Sequence, residues 1–100
     1  MDVFAALADP TRRRIVELVG ARELSAGEIA AEFQSSRPAV SRHLRVLRET
    51  GVLASRGDAQ RRLYRIEPAA LAELEAWVER TRGFWSARLG ALDNHLEDKR

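Results

Sequence analysis

Eight arginines crowd into residues 37–65 of this 100-residue chain: Arg37, Arg42, Arg45, Arg48, Arg56, Arg61, Arg62 and Arg65, opposed there only by Glu49 and Asp58. That stretch carries a local balance of +6 and the rest of the chain −4, an asymmetry hidden in the formal net charge of +2. Sixteen of the seventeen basic residues are arginine. Its planar fork suits bidentate contact with phosphate and guanine edges better than a lysine point charge does. The chemistry on offer is recognition of anions and base edges, with a merely solvated charged face as the plain alternative. Catalysis has less to work with. The chain has no cysteine and only two histidines, His43 and His95, so disulfides, thiolate nucleophiles and thiolate metal sites are excluded. No nucleophile, base and phosphate-cradling glycine loop converge. We expect no enzyme and no cofactor.

The arginines need elements to aim them. Ser36 reads as a helix cap, Pro38 is tolerated in the first turn, and Gly51 is a good stop. On a wheel at about 100° per residue, Val40, Leu44 and Leu47 fall within about 60° of one another and must face a core. Roughly opposite lie Pro38, Arg42 and Arg45, flanked by Ser41 and Arg48. The outward face is therefore small near its start and basic along its length, which suits a major groove about 12 Å wide. His43 sits at the edge of that face, either packed and hydrogen-bonded or donating to a phosphate. Val52–Gly57 and Arg61–Ile66, around a tip at Asp58–Gln60, read as a β-hairpin. Arg56, Gln60, Arg61 and Arg62 then lie near its tip, as a minor-groove contact or a solvated loop. Tyr64 and Ile66 share one strand face.

Upstream, Val3, Phe4 and Leu7 mark a short first helix. Asp9-Pro10 opens a second, with Ile15, Leu18 and Val19 buried and Gly20 ending it. Ser25 and Glu28 have capping-box spacing ahead of Ile29, Ala30 and Phe33. After Pro68 the apolar steps Leu71, Leu74, Val78, Thr81, Trp85, Leu89, Leu92 and Leu96 predict one long helix, kinked at most at Gly83. The expected fold is mainly α with a small β-hairpin wing: a winged helix-turn-helix with a long C-terminal dimerisation helix. We read residues 1–100 as a single domain, with the helix-turn-helix at 25–50 and the wing at 52–66. With Trp77 and Phe84 beside it, the final stripe reads as a surface for a partner helix. Packing on its own domain, or an effector pocket lined by the aromatics, are the alternatives.

Three stretches together resemble the arsenic-repressor (ArsR) family of winged-helix regulators. Leu7-Ala-Asp-Pro-Thr-Arg-Arg-Arg-Ile-Val-Glu-Leu looks like its early helix. Ser36-Arg-Pro-Ala-Val-Ser-Arg-His-Leu-Arg-Val-Leu-Arg-Glu-Thr-Gly-Val-Leu looks like its recognition helix, and Arg61-Arg-Leu-Tyr-Arg-Ile like its returning wing strand. The resemblance spans roughly residues 1–72. It implies a homodimeric repressor that binds double-stranded DNA and releases it on a signal. The first and last helices (1–8 and 68–98) would form the interface, through Val3, Phe4, Leu7, Leu74, Trp77, Val78, Thr81, Trp85, Leu89 and Leu92. Ser36, Ala39, Ser41, Arg42, His43 and Arg45 would meet the DNA, with Arg37 and the wing residues beside them.

The departures from that family are as informative. Where metal-sensing members carry Cys-x-Cys, this chain has Ser25-Ala26-Gly27. The positions of the last-helix zinc ligands hold Pro68, Ala70, Thr81 and Phe84, none of which binds zinc. Asp93-Asn94-His95 has a suitable spelling but lies near the terminus and lacks a second pair. We expect no metal response, and the residues name no other inducer. The remaining alternative is a winged-helix module that binds RNA or a protein. Single-stranded RNA readers display stacking aromatics, and Tyr64, alone among residues 37–65, is aromatic and points inward. Met1–Asp9 is too short and acidic for a secretory signal and no apolar run reaches spanning length, so the expected compartment is the cytoplasm, without a membrane partner.

Overall fold

The computed structural model describes the backbone of residues 1–98 and the side chains of residues 1–90. Five helices and three strands follow in the order α1 (Val3–Ala6), α2 (Pro10–Ala21), β1 (Leu24–Ser25), α3 (Ala26–Ala30), α4 (Arg37–Glu49), β2 (Leu53–Asp58), β3 (Arg61–Ile66) and α5 (Pro68–Asp98). Side-chain caps open four of the helices. Asp2 accepts from the Ala5 amide (2.9 Å), Asp9 from Arg12 (3.0 Å) and Ser36 from Ala39 (3.3 Å). Ser25 and Glu28 exchange hydrogen bonds of 3.1 and 2.9 Å in a complete capping box. Each cap satisfies amides that have no partner within the helix, worth about 1 kcal/mol apiece.

Helix α4 stops as its sequence requires. Gly51 takes φ +83, the amide of Val52 donates to Leu47 O (2.9 Å) and that of Gly51 to Arg48 O (3.2 Å). This pair of bonds is a Schellman closure, which favours glycine at the left-handed position. Gly20, by contrast, does not end α2. The helix runs on to Ala21 and leaves through Arg22, which is extended at φ −168. An exit through extended backbone toward β1 needs no left-handed residue, so the glycine stop is unused.

The wing is a three-stranded antiparallel sheet in the order β1-β3-β2, where the sequence predicted two strands. Leu24 pairs with Tyr64 and Ser25 with Leu63. Two residues are too few to display a period, and Ser25 was already engaged as the cap of α3. Asp58 pairs with Arg61, so the tip shrinks to Ala59-Gln60, with Ala59 at φ +57. A positive φ at the first turn residue matches the twist that two-residue hairpins need.

One core joins these parts. Ile15 and Val19 of α2, Ile29 of α3, Val40, Leu44 and Leu47 of α4, and Leu53 and Tyr64 of the sheet pack together, with Leu18, Phe33 and Ile66 partly buried against them. Helix α5 is a single helix across Gly83 and contributes Ala70 and Leu74 to the core. Among the described residues, no helix is long and apolar enough to cross a membrane.

Candidate nucleic-acid interface

With Val40, Leu44 and Leu47 buried, α4 turns Arg37, Pro38, Ser41, Arg42, Arg45 and Arg48 to solvent, Ser36 is exposed at its cap, and Ala39 is half-buried. Among the described residues, Arg37, Arg42, Arg45 and Arg48 make no ion pair. Four uncompensated guanidinium groups on one short helix form a field that an anion can neutralise without first breaking an internal bridge.

His43 is placed differently from its neighbours. Its side chain is 24% exposed and is turned toward the start of α2. Nδ1 lies 3.3 Å from Arg12 Nη1 and 4.0 Å from Asp9 Oδ2. Arg12 is itself anchored, its Nε donating to Ala6 O at 2.6 Å. The Asp9 carboxyl is held below the ordinary carboxylate range, chiefly by the Arg12 amide, against some opposing desolvation. The sequence left His43 between a packed role and a phosphate donor. One ring nitrogen is committed to packing α4 on α2.

The wing arginines divide by strand face. Arg56 and Arg61 share a face with Leu63, while Arg62 lies on the other with Tyr64, as the register and the two-residue period dictate. Arg56 Nε donates to Glu23 Oε2 at 2.9 Å. Arg61 bridges Asp58 at 3.1 Å and Glu28 at 3.9 Å. Arg62 donates instead to the neutral Ser55 hydroxyl, at 3.0 Å, and has no ion pair among the described residues. Gln60 is exposed at the tip. Nothing local in the sequence marks Glu23 or Glu28 as an acidic partner of the wing. Glu23 lies 33 residues from Arg56, and no local pattern links them.

A second surface runs along α5. Leu71, Trp77, Val78, Phe84, Trp85 and Leu89 are between 40% and 56% exposed, while Leu74 and Thr81 are half-buried. Phe4 and Leu7 are half-buried beside this helix's first turns, but Val3 is only 5% exposed. Val3 sits in the core of its own chain, because α1 is one turn long and turns Val3 and Ala6 inward together. Leu92 and Leu96, with Asp93 and His95, lie outside the described side chains. An open groove on α5 is lined by Leu71, Leu74, Glu75, Val78, Glu79 and Arg82. None of the three aromatics of α5 lines it. Among the described residues, no group of three or more His, Cys, Asp or Glu is placed to hold a metal ion.

Comparison with known proteins matches residues 7–56 to a family described as a helix-turn-helix domain. The HTH-type transcriptional regulator Rv2034 of Mycobacterium tuberculosis is 43% identical over 86% of this chain and 78% of its own length. The transcriptional repressor SdpR of Bacillus subtilis is 34% identical over 77% of this chain and 86% of its own. Among solved structures, the homodimeric winged helix-turn-helix DNA-binding domain of Mb0332 from Mycobacterium bovis, described as a possible ArsR-family regulator, superposes with a TM-score of 0.66. It is 28% identical, over 81% of this chain and 75% of that one.

Proposed function

Because the chain belongs to the ArsR family of winged helix-turn-helix transcriptional regulators, we propose that it is a homodimeric, sequence-specific repressor that binds double-stranded DNA. The observation that carries this reading is the exposed arginine face of α4, without an ion pair among the described residues, on a helix whose opposite face of Val40, Leu44 and Leu47 is buried in the core. Arg42 and Arg45 read base edges in the major groove, with Ser36, Arg37, Ala39 and Ser41 around the helix start approaching backbone and bases. Arg62 and Gln60 reach the flanking backbone from the wing, and Arg56 and Arg61 join them only by exchanging carboxylates for phosphate. Tyr64 is buried and offers no stacking platform, which favours a duplex over single-stranded RNA.

The apolar face of α5 supports the dimer. Six large side chains about half-exposed along one helix make a patch of the kind that marks an association surface. A two-fold pair built on it presents two copies of α4 to an inverted repeat. Ser25-Ala26-Gly27 supplies no ligand where metal-sensing relatives have Cys-x-Cys, which supports a regulator that does not respond to metals. Its place of action is the cytoplasm, with the chromosome. Capture of genomic fragments on the purified protein, followed by sequencing, tests the reading. Enrichment of an inverted repeat supports it, and recovery of sequences no different from the input overturns it.

A further inference from the structure

We propose that Arg12 is a positioning residue for DNA binding. It holds His43 as the Nε2–H tautomer, so that α4 presents a neutral hydrogen-bond donor to a phosphate oxygen of the duplex. The inference rests on the DNA-binding reading above and assigns a role within it to a residue of α2 that lies outside the recognition helix.

Guanidinium has five N–H donors, no acceptor, and no neutral form in proteins. A ring nitrogen 3.3 Å from Arg12 Nη1 is therefore an acceptor, and Nδ1 carries no proton. In the neutral ring the proton then resides on Nε2. Asp9, at 4.0 Å from Nδ1, is too far to accept a hydrogen bond from it and instead offsets the guanidinium charge.

Arg12 does not choose this orientation freely. Its Nε donates to Ala6 O at the end of α1 (2.6 Å), and its backbone amide to Asp9 Oδ2 (3.0 Å). The amide bond fixes the Arg12 backbone at the start of α2 and the Nε bond anchors the guanidinium itself, and a fixed donor selects one tautomer where water would allow both. The remaining nitrogen is open. Nε2 has no partner among the described residues, and no buried side-chain nitrogen or oxygen there lacks one. Nε2 therefore reaches solvent. It does so on a helix whose neighbouring side chains, Arg42 and Arg45, are exposed and unpaired. A phosphate oxygen drawn to those charges is the acceptor it suits.

The tautomer is read directly in the free protein from long-range proton–nitrogen correlations of the His43 ring in nitrogen-15-labelled protein. The Nε2–H pattern is expected; an Nδ1–H pattern overturns the proposal whatever the DNA result. Binding is read on a random-sequence duplex and on a captured site. His43→Ala should weaken both by at least about tenfold per protomer, the size of a hydrogen bond to a charged partner. It should leave the salt slope unchanged, since a neutral donor releases no counterion. A fall in slope would mean the ring binds as a cation and would overturn the neutral Nε2–H donor. Arg12→Met should mix the tautomers and weaken binding, yet add nothing to His43→Ala in the double variant. Additive losses would assign Arg12 a purely structural role. Arg12→Lys keeps a cation and guards against misfolding; it too should mix the tautomers, because one ammonium cannot hold both Ala6 O and Nδ1. A wild-type protein that binds neither duplex would defeat the DNA-binding reading itself, and an Nε2–H ring in the free protein would then show which of the two had failed.

Discussion

The rings of Phe4 and Trp77 lie with centroids 5.5 Å apart and planes tilted by 60°. That contact ties α1 to the third turn of α5, at a separation such aromatic pairs favour. It fixes where α5 leaves the domain and so where its exposed stripe points. Beyond Thr81 the described helix presents Phe84, Trp85 and Leu89, each more than half exposed.

A partner's copy of that stripe is the expected cover. Burying an apolar side chain of this size contributes about 1.5–3 kcal/mol, and in a two-fold interface each residue counts twice. Replacing Trp85 and Leu89 with glutamate should raise the dimer dissociation constant by at least about a thousandfold. Sedimentation equilibrium of the double variant, with circular dichroism to show that it remains folded, reads the result. A folded variant that stays dimeric places the interface elsewhere.

The caps predict a particular response to acid. Asp9 is held low chiefly by the Arg12 amide, and Glu28 by the backbone and then the hydroxyl of Ser25. Both are charged in the fold at a pH where the unfolded chain begins to take up protons. Their contribution is complete above about pH 4.5 and is lost as pH falls through the lowered folded values. Asp9→Asn keeps a good cap without a titrating group, so its Tm should fall less steeply than wild type between pH 5 and pH 2, both read as approximate limits. Asp9→Ala should lose about 1 kcal/mol at neutral pH. Parallel acid curves for wild type and Asp9→Asn would remove Asp9 from this account.

How far the sequence reaches depends on the distance over which each signal acts. Val40, Leu44 and Leu47 declare the buried face of α4 because helical periodicity is local, and Ser36, Ser25 and Asp9 declare caps within three residues of their targets. The long α5 was legible across Gly83 because the apolar steps continue on both sides of it. Strand β1 was not legible, since its partner Tyr64 lies 40 residues away and two residues carry no alternation. The same holds for the site. Arg42 and Arg45 follow from the wheel, but Arg12 meets His43 across 31 residues and Glu23 meets Arg56 across 33. Only packing brings those pairs together.

Metal response is a direct corollary of the ligand positions. Ser25-Ala26-Gly27 offers no thiolate and Thr81 and Phe84 no imidazole or carboxylate, so zinc, cadmium or arsenite at modest stoichiometric excess should leave operator affinity unchanged. Fluorescence anisotropy with and without each ion checks this. Release that disappears in His95→Ala would point to the Asp93–His95 segment instead.

The four unpaired arginines of α4 and the divided wing make the sharpest expectation. A contact that reads a base edge should cost about 1–3 kcal/mol when lost and relax preference at one position of the half-site. Arg42→Ala and Arg45→Ala are the candidates, since both are exposed opposite Val40, Leu44 and Leu47. A contact to phosphate weakens all sequences alike and lowers the salt slope by about one unit per protomer. In the wing this should be the behaviour of Arg62→Ala, because Arg62 is held only by the Ser55 hydroxyl. Arg56→Ala should change the slope less. Its guanidinium already has Glu23 at 2.9 Å, and whatever phosphate attraction it gains is offset by the carboxylate it must leave. Titrations of the four variants at several salt concentrations, on the captured operator and on a scrambled duplex, separate these outcomes. Equal slopes for Arg56→Ala and Arg62→Ala would show that the ion pairs of the free wing do not persist on DNA. If Arg42→Ala and Arg45→Ala both bound as wild type does, the basic face of α4 would be solvated surface, and the recognition role assigned to it would fall.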